Sequence, residues 1–327
     1  MNRREILKAG AGALSMTAAL PHLASAQSKY PDRPVKLLIP FSPGGVTDIV
    51  GRHWAERMKG PLGTIYVENQ GGAAGTIGAT DVARSPADGH TILLGNTSVL
   101  VLNPMTTTKL SYDPAKDFVP ISILCVASVA LVVNEKLPVK SLKEFVEYTK
   151  ANPGKLSYGS AGTGTMTHLA AELFKQQAGL PDLTHVPYKG AGPSIADLVS
   201  GHIPAATPNI TSQVLEFQKT GKVRILAVFS NQRLKGAPDV PTAIELGFPN
   251  MVGQLFVGVF APSATPKPVV EQLAAANQKV MQDAAFQKIL IDSGLEPISD
   301  TPERAKAYLV EETARWAPVV KAIGLVK

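Results

Sequence analysis

The residues of this chain best placed to do chemistry are not acids and bases but glycines and hydroxyls, gathered in four turns. The first, Pro40-Phe41-Ser42-Pro43-Gly44-Gly45, follows the apolar run 35–39. It opens a stretch in which Val46, Ile49, Val50, Trp54 and Met58 share one helical face. The second runs from Asn69 to Gly78 through Ala73, Ala74 and Gly75, after the strand-like run 65–67 and into a small-residue helix ending near Ser85. The third, 158–165, carries Ser160, Thr163, Gly164 and Thr165 and leads into a predicted helix over 166–178. The fourth, Tyr188-Lys189-Gly190-Ala191-Gly192-Pro193, opens a predicted helix over 194–200, with Pro193 suited to its first position and Gly201 to its stop. The first turn of a helix presents unpartnered N–H groups and a partial positive charge, and glycine lets an anion come close to them. One such turn is merely a tight connection. Four, two in each half, predict a cleft for an anion beyond the carboxyl ends of strands in an open α/β sheet.

Other chemistries lack their residues. The run 159–165 has no lysine before its terminal threonine, so it is not a P-loop. The dinucleotide-type spacing at Gly10 and Gly12 lies in a leader. Ser160 is not in a G-x-S-x-G elbow, because Tyr158 stands two residues before it. The histidines 53, 90, 168, 185 and 202 show no zinc-ligand spacing. A Ser160/His168 nucleophilic pair is conceivable but has no third, orienting group in the sequence. The reading is of a protein that is not an enzyme, with no catalytic residues, no metal and no cofactor; a Ser/His hydrolase is the minor alternative.

The first 26 residues read as an export signal: Arg3-Arg4 ahead of a mild apolar segment 9–20, then Ala24-Ser25-Ala26 as a cleavage site, a pattern of the twin-arginine type. Arg3, Arg4 and Lys8 against Glu5 account for two of the six net positive charges, leaving a weakly basic mature chain. Its charges are scattered, without an arginine-rich helix or interleaved aromatics, so nucleic-acid binding is not expected. Cys125 is the single cysteine and sits in an apolar run, which excludes an intrachain disulfide. No apolar run is long enough to span a bilayer. The expected location is the periplasm.

Strand and helix signals alternate along the mature chain, which predicts α/β layering with mostly parallel sheets, and its length predicts two domains. Extended runs near 121–133 and 224–230 divide the chain. Residues 27–126 and 229–327 are assigned to lobe 1 and residues 127–228 to lobe 2, with two crossing strands as hinge. Predicted helices over 267–281, 284–293 and 302–323 close the chain, and Trp54 and Trp316 are placed in helix cores.

Further stretches carry a resemblance. They are Pro40 through Gly45 with Asp48, Val67-Glu68-Asn69, Ala87 through Thr91, Tyr112-Asp113-Pro114, Ala151 through Leu156, Tyr158-Gly159-Ser160 with His168, His185 through Gly190, and Pro238 through Thr242. Over nearly all of the mature chain they resemble the Bug-type periplasmic solute-binding receptors of tripartite tricarboxylate transporters. The resemblance implies a two-lobed class II periplasmic-binding fold, each lobe a sheet flanked by helices, that closes like a flytrap on a small carboxylate. Its partners would be that ligand and the transporter's membrane subunits, and the protein would be a monomer. Presentation of ligand to a membrane sensor kinase is the alternative use of the same cleft.

Carried onto this chain, the resemblance makes Phe41, Ser42, Gly44 and Gly45 one side of a carboxylate clamp. Asp48 is either a ligand contact or a helix-end stabiliser. Ala73, Ala74 and Gly75 belong to the second loop, and Asn96 and Thr97 to the floor. Ser160, Thr163, Gly164 and Thr165 supply donors from the other lobe, with His168 behind them as a loop-orienting hydrogen-bonder rather than a base. Two departures stand out. Asn69-Gln70-Gly71-Gly72 stands where the family usually has Asn-Arg-Pro-Gly, and Asn209 stands where an aspartate commonly faces the ligand. The second change suits a ligand with another carboxylate or carbonyl end.

Overall fold

The computed structural model describes residues 30–325; the export signal lies outside the described residues. The chain opens with β1 (Val35–Ile39), α1 (Val46–Leu62), β2 (Ile65–Asn69), α2 (Thr76–Ala83) and β3 (Thr91–Asn96). A π-helical turn, Ser98–Leu102, then leads through the short helices α3 (Asn103–Thr106) and α4 (Pro114–Asp117) to the long strand β4 (Phe118–Ser128). The middle block holds β5 (Ala130–Asn134), α5 (Leu142–Ala151), β6 (Ser157–Ser160), α6 (Met166–Ala178), β7 (Thr184–Pro187), α7 (Ala191–Ser200), β8 (Ala205–Ala206), α8 (Ser212–Lys219) and β9 (Val223–Val228). The last block is β10 (Gln254–Pro262), α9 (Lys267–Met281), α10 (Ala284–Asp292), β11 (Leu295–Pro297) and α11 (Pro302–Ala322).

Two sheets result, one per lobe. The first is six-stranded, in the order β11-β4-β10-β3-β1-β2; the second is five-stranded, in the order β7-β6-β8-β5-β9. The expectation of mostly parallel sheets is corrected. Among the strands of the described residues only β1 with β2 and β3, and β6 with β7 and β8, pair in parallel. The strands β4, β5, β9 and β10, which carry the chain between lobes, pair antiparallel. A chain that leaves one lobe must return, and its outgoing and returning strands run in opposite directions beside each other.

The hinge is built where β4 passes into β5. Val129 N–H donates to Gly253 O at 2.8 Å, Gly253 N–H to Phe229 O at 2.8 Å and Phe229 N–H to Val129 O at 2.7 Å. Around it, β5 alternates faces as a strand must. Leu131 and Val133 pack in the core shared with the first lobe, and Ala130 and Val132 in a second cluster with α7 and α8. Residues just beyond 228, which the sequence division assigns to lobe 1, pack here too. Ala243 N–H donates to Val228 O, and Leu234 and Val240 join the second cluster.

In the first lobe, α1 buries Val46, Val50, Trp54 and Met58 against the sheet, one residue per turn. Trp54 Nε1–H donates to Asn277 Oδ1 at 2.8 Å, fixing α1 to α9. The Ala87–His90 turn is a clasp on the start of the described chain: Tyr30 O–H donates to Gly89 O at 2.7 Å, and His90 Nε2 lies 3.0 Å from Asp32. The helix predicted over 194–200 begins earlier, at Ala191. Pro193 is then its third residue, still within the first turn, where a missing N–H is of no consequence.

Candidate functional site

The lobes meet along a seam made by the Gly-rich turns. Ser42 N–H and Oγ–H, from the first lobe, both donate to Lys189 O of the second at 3.2 Å. Further in, Met166 N–H at the start of α6 donates to Ser98 Oγ at 3.0 Å. These contacts join segments far apart in the chain, and they define a closed arrangement of the lobes.

At the centre of the seam lies a cavity lined from the first lobe by Phe41, Gly45, Val46, Thr47, Asn96, Ser98 and Leu255. From the second lobe come Ala161, Thr165, Thr167, Ala191 and Asn209. None of these side chains ionises. Three helices aim their first turns here: α1 through Gly45 to Thr47, α6 through Thr165 and Thr167, and α7 through Ala191. The N-cap residues Gly45, Thr165 and Gly190 supply no side-chain cap, and of the α6 donors Met166 N–H is taken across the seam by Ser98 Oγ. By contrast α5, α8, α10 and α11 are capped by Ser141, Thr211, Asp283 and Thr301. Uncapped first turns converging from both lobes concentrate N–H donors and partial positive charge where no side-chain cation stands. The cavity is about 20 Å³, close to the space one water needs. A larger solute enters only when the lobes part.

The polar groups around the cavity are held in place. Asn96 Nδ2–H donates to Thr47 Oγ1 at 3.1 Å, and its Oδ1 accepts from Ser98 N–H at 3.0 Å and Val99 N–H at 3.3 Å. On the other lobe Thr165 Oγ1–H donates to Gly162 O at 2.7 Å, while Ala161 N–H donates to Thr167 Oγ1 at 2.9 Å. Asn209 is the exception. Its amide has one long contact, Nδ2 to Ala127 O at 3.5 Å, and is otherwise free for a ligand.

Of the residues singled out from the sequence, Phe41, Gly45, Asn96, Thr165 and Asn209 line this cavity. Ala73, Ala74, Thr163 and Gly164 instead line a larger, open pocket at the mouth of the seam, with Lys109 and Lys189. Ser42 is spent on the interlobe bonds, and Gly44 faces a groove on the far side of the loop. Gly75 packs against Val99 and Phe41, and Thr97 Oγ1 accepts from Phe256 N–H at 2.8 Å. Thr47, Ser98 and Thr167 line the cavity without having been singled out. Their signal was available: Thr47 and Thr167 each stand at the second position of a helix that follows a glycine turn.

The two roles left open for Asp48 resolve in the geometry. Its carboxylate accepts from Gly44 N–H at 3.0 Å, Arg52 Nε–H at 3.0 Å and Asn69 Nδ2–H at 2.9 Å. It ties the first loop to its helix and does not line the cavity. Burial pushes its pKa up, but the bonds from Arg52, Gly44 and Asn69 outweigh burial and hold it below the usual carboxylate range. Asp48→Ala is expected to cost about 2 kcal/mol, since Gly44 and Asn69 lose a charged acceptor. With a folded value below the unfolded one, the contribution is complete above about pH 4 and is lost as pH falls through the lower folded value. Urea unfolding at pH 7 and pH 3 checks this: the difference between wild type and variant should shrink in acid.

His168 and Ser160 also sit behind the loop. His168 Nδ1 accepts from Gly164 N–H at 3.1 Å, an orienting contact. Ser160 pairs with His185, at 2.7 Å to Nε2, and not with His168 as the nucleophilic alternative required. Ser160 is buried and lines neither pocket.

Two sheets joined by crossing strands, closed on a seam of uncapped helix N-termini, define a two-lobed periplasmic-binding-protein fold. Residues 50–325 match the family described as "Tripartite tricarboxylate transporter family receptor", and the chain belongs to that family. Protein BugT of Bordetella pertussis is 34% identical over 99% of both chains. Among solved structures, R. palustris Rpa4515 with adipate has a TM-score of 0.87 and 32% identity, over 91% of this chain and 99% of that one. MatC (Rpa3494) from Rhodopseudomonas palustris with bound malate has a TM-score of 0.83 and 33% identity, over 89% and 100%.

Proposed function

We propose that this protein is a periplasmic receptor that captures a small dicarboxylate between its lobes and delivers it, as a monomer, to the membrane subunits of a tripartite transporter, without chemical change. One observation carries the reading: three uncapped helix N-termini from both lobes converge on a cavity with no ionisable side chain. Such a site binds negative charge through main-chain donors and offers a protonated amine no counter-charge. The apolar wall of Phe41, Val46, Ala161, Ala191 and Leu255 suits the methylenes between two carboxyl ends. Two relatives of similar fold were solved with diacids, adipate and malate, which supports the same class here.

A thermal-shift series tests the proposal. At a hundred times its dissociation constant a true ligand adds about 2.7 kcal/mol of stability. Malate, succinate or adipate is expected to raise the melting temperature by several degrees, and the corresponding diamides not at all. Equal shifts from acid and amide would overturn the main-chain anion site. Recovery of the diacid chemically altered would overturn the receptor reading.

A further inference from the structure

The loop 161–165 carries Ala161 and Thr165 into the cavity and Thr163 and Gly164 to its mouth. Behind it stands a column of three rings from three elements. Tyr158 of β6 stacks on His185 of β7 with centroids 5.0 Å apart, and His185 stacks on His168 of α6 at 4.1 Å. Both histidines grip the loop. His168 Nδ1 accepts from Gly164 N–H at 3.1 Å. His185 Nε2 pairs with Ser160 Oγ, which accepts from Gly162 N–H at 3.1 Å.

Resting on the reading of the cleft as a carboxylate site, we propose that the His168–His185 pair is a positioning device that makes solute capture sensitive to protons. With both rings neutral the loop is held in its capturing shape; protonation lets it go. To accept from Gly164, His168 Nδ1 must carry no proton, so the neutral ring carries its proton on Nε2, 3.9 Å from Glu172. A second proton can only enter at Nδ1, where it faces the Gly164 N–H and replaces attraction with repulsion. In the His185 tautomer whose Nε2 accepts from Ser160 Oγ–H, a second proton on the ring requires that hydroxyl hydrogen to turn away. Two cationic rings 4.1 Å apart repel, so a proton on one ring disfavours a proton on the other and the two titrations are coupled.

The charged and titratable groups facing the rings do not cancel this effect. Glu172 favours a proton on His168, but its carboxylate already accepts from Tyr158 O–H at 2.6 Å and Lys175 Nζ–H at 2.9 Å. Burial first, then Lys175, works against the proton on His168, whose pKa is held below the ordinary histidine value. Burial, then His168, pushes His185 down to about 4. A folded value below the unfolded one means that the held loop is complete above about pH 6.5 and is lost progressively as pH falls toward 4.

The first test needs no ligand. In isotope-labelled protein between pH 8 and 4, the Gly164 amide resonance is expected to move with the same midpoint as the His168 ring, below the ordinary histidine value. A flat Gly164 amide, or rings that titrate independently at the ordinary value, would overturn the proposal. The second test titrates malate calorimetrically at pH 7.5 and pH 5 into wild type, His168→Asn and His185→Gln. These variants replace the relevant ring nitrogen with a neutral amide. Wild type is expected to lose several-fold in affinity on acidification and each single variant a smaller factor, every protein being referred to its own affinity at pH 7.5. Malate's own titration is common to all three proteins. Equal pH dependence in all three would overturn the device. Failure of malate to bind any of them at pH 7.5 would count against the carboxylate reading for that acid, and the Gly164 titration then decides the histidine pair alone.

Discussion

Gly192→Ala is expected to lower ligand affinity at least about a hundredfold, some 2.7 kcal/mol, while leaving the ligand-free protein as stable as wild type or slightly more so. A Cβ at position 192 would run into the Pro43 carbonyl oxygen of the opposite lobe, with the Pro43 carbonyl carbon at 2.9 Å and Gly44 Cα at 3.2 Å. All three atoms are backbone, so no rotamer change relieves the overlap; only separation of the lobes does. In the open form the clash is absent, and alanine favours the first turn of α7 over glycine by a fraction of the roughly 1 kcal/mol seen in helix interiors. Stability and affinity should therefore move in opposite directions, which a folding defect cannot imitate. Calorimetry with the acid giving the largest thermal shift measures the loss. Small-angle scattering should show that the variant no longer contracts when that acid is added. Gly60→Ala is the control: it lies in α1, has no heavy atom near its would-be Cβ, and should leave affinity unchanged. Wild-type affinity in Gly192→Ala would mean that capture does not require this closure.

Asn209→Asp is expected to weaken diacid binding by about a hundredfold at pH 7.5 and to improve binding of an α-amino diacid such as L-aspartate. Asn209 is buried on the cavity wall and its amide is nearly free. A carboxylate there would confront a carboxylate of the ligand; at about 4 Å and an effective dielectric near 20 such a pair repels by about 4 kcal/mol, part of which protonation or a shift in pose relieves. The same carboxylate supplies the counter-charge an ammonium lacks in the wild-type cavity. Lowering the pH should narrow the variant's deficit relative to wild type at the same pH, as the new acid takes up a proton. Parallel titrations of malate and L-aspartate into both proteins check the pair of signs. Unchanged malate affinity would remove Asn209 from the site.

Much of the local architecture was legible before the structure. The run 35–39 is apolar and ends at turn residues, and it forms β1 with those bounds, while the extended run read near 224–230 forms β9 over Val223–Val228. The helix period over 166–178 and 267–281 reproduces α6 and α9 to the residue, because a buried stripe every three to four positions has no other stable use. The two-residue strand β8 and the three-residue strand β11 left no comparable trace. Their pairing is supplied by neighbours in the sheet, not by their own pattern. The mostly parallel sheets failed for a related reason: alternation of strand and helix reports local connections, and says nothing of strands that leave one lobe and come back.

The candidate site divides along the same line. Where the chain turns, which helices begin after glycine, and that their first turns want an anion are local properties, set by φ freedom and by unpaired N–H groups within a few residues. The chain alone determined those. Which turns face one another was decided only by the tertiary structure. Ser42 meets Lys189 across 147 positions, Met166 meets Ser98 across 68, and Ser160 finds His185 in place of the sequence-near His168. Such pairings arise when two sheets twist and their lobes close, so that groups distant in the chain come within hydrogen-bond reach, and no pattern of spacing along the chain encodes that distance.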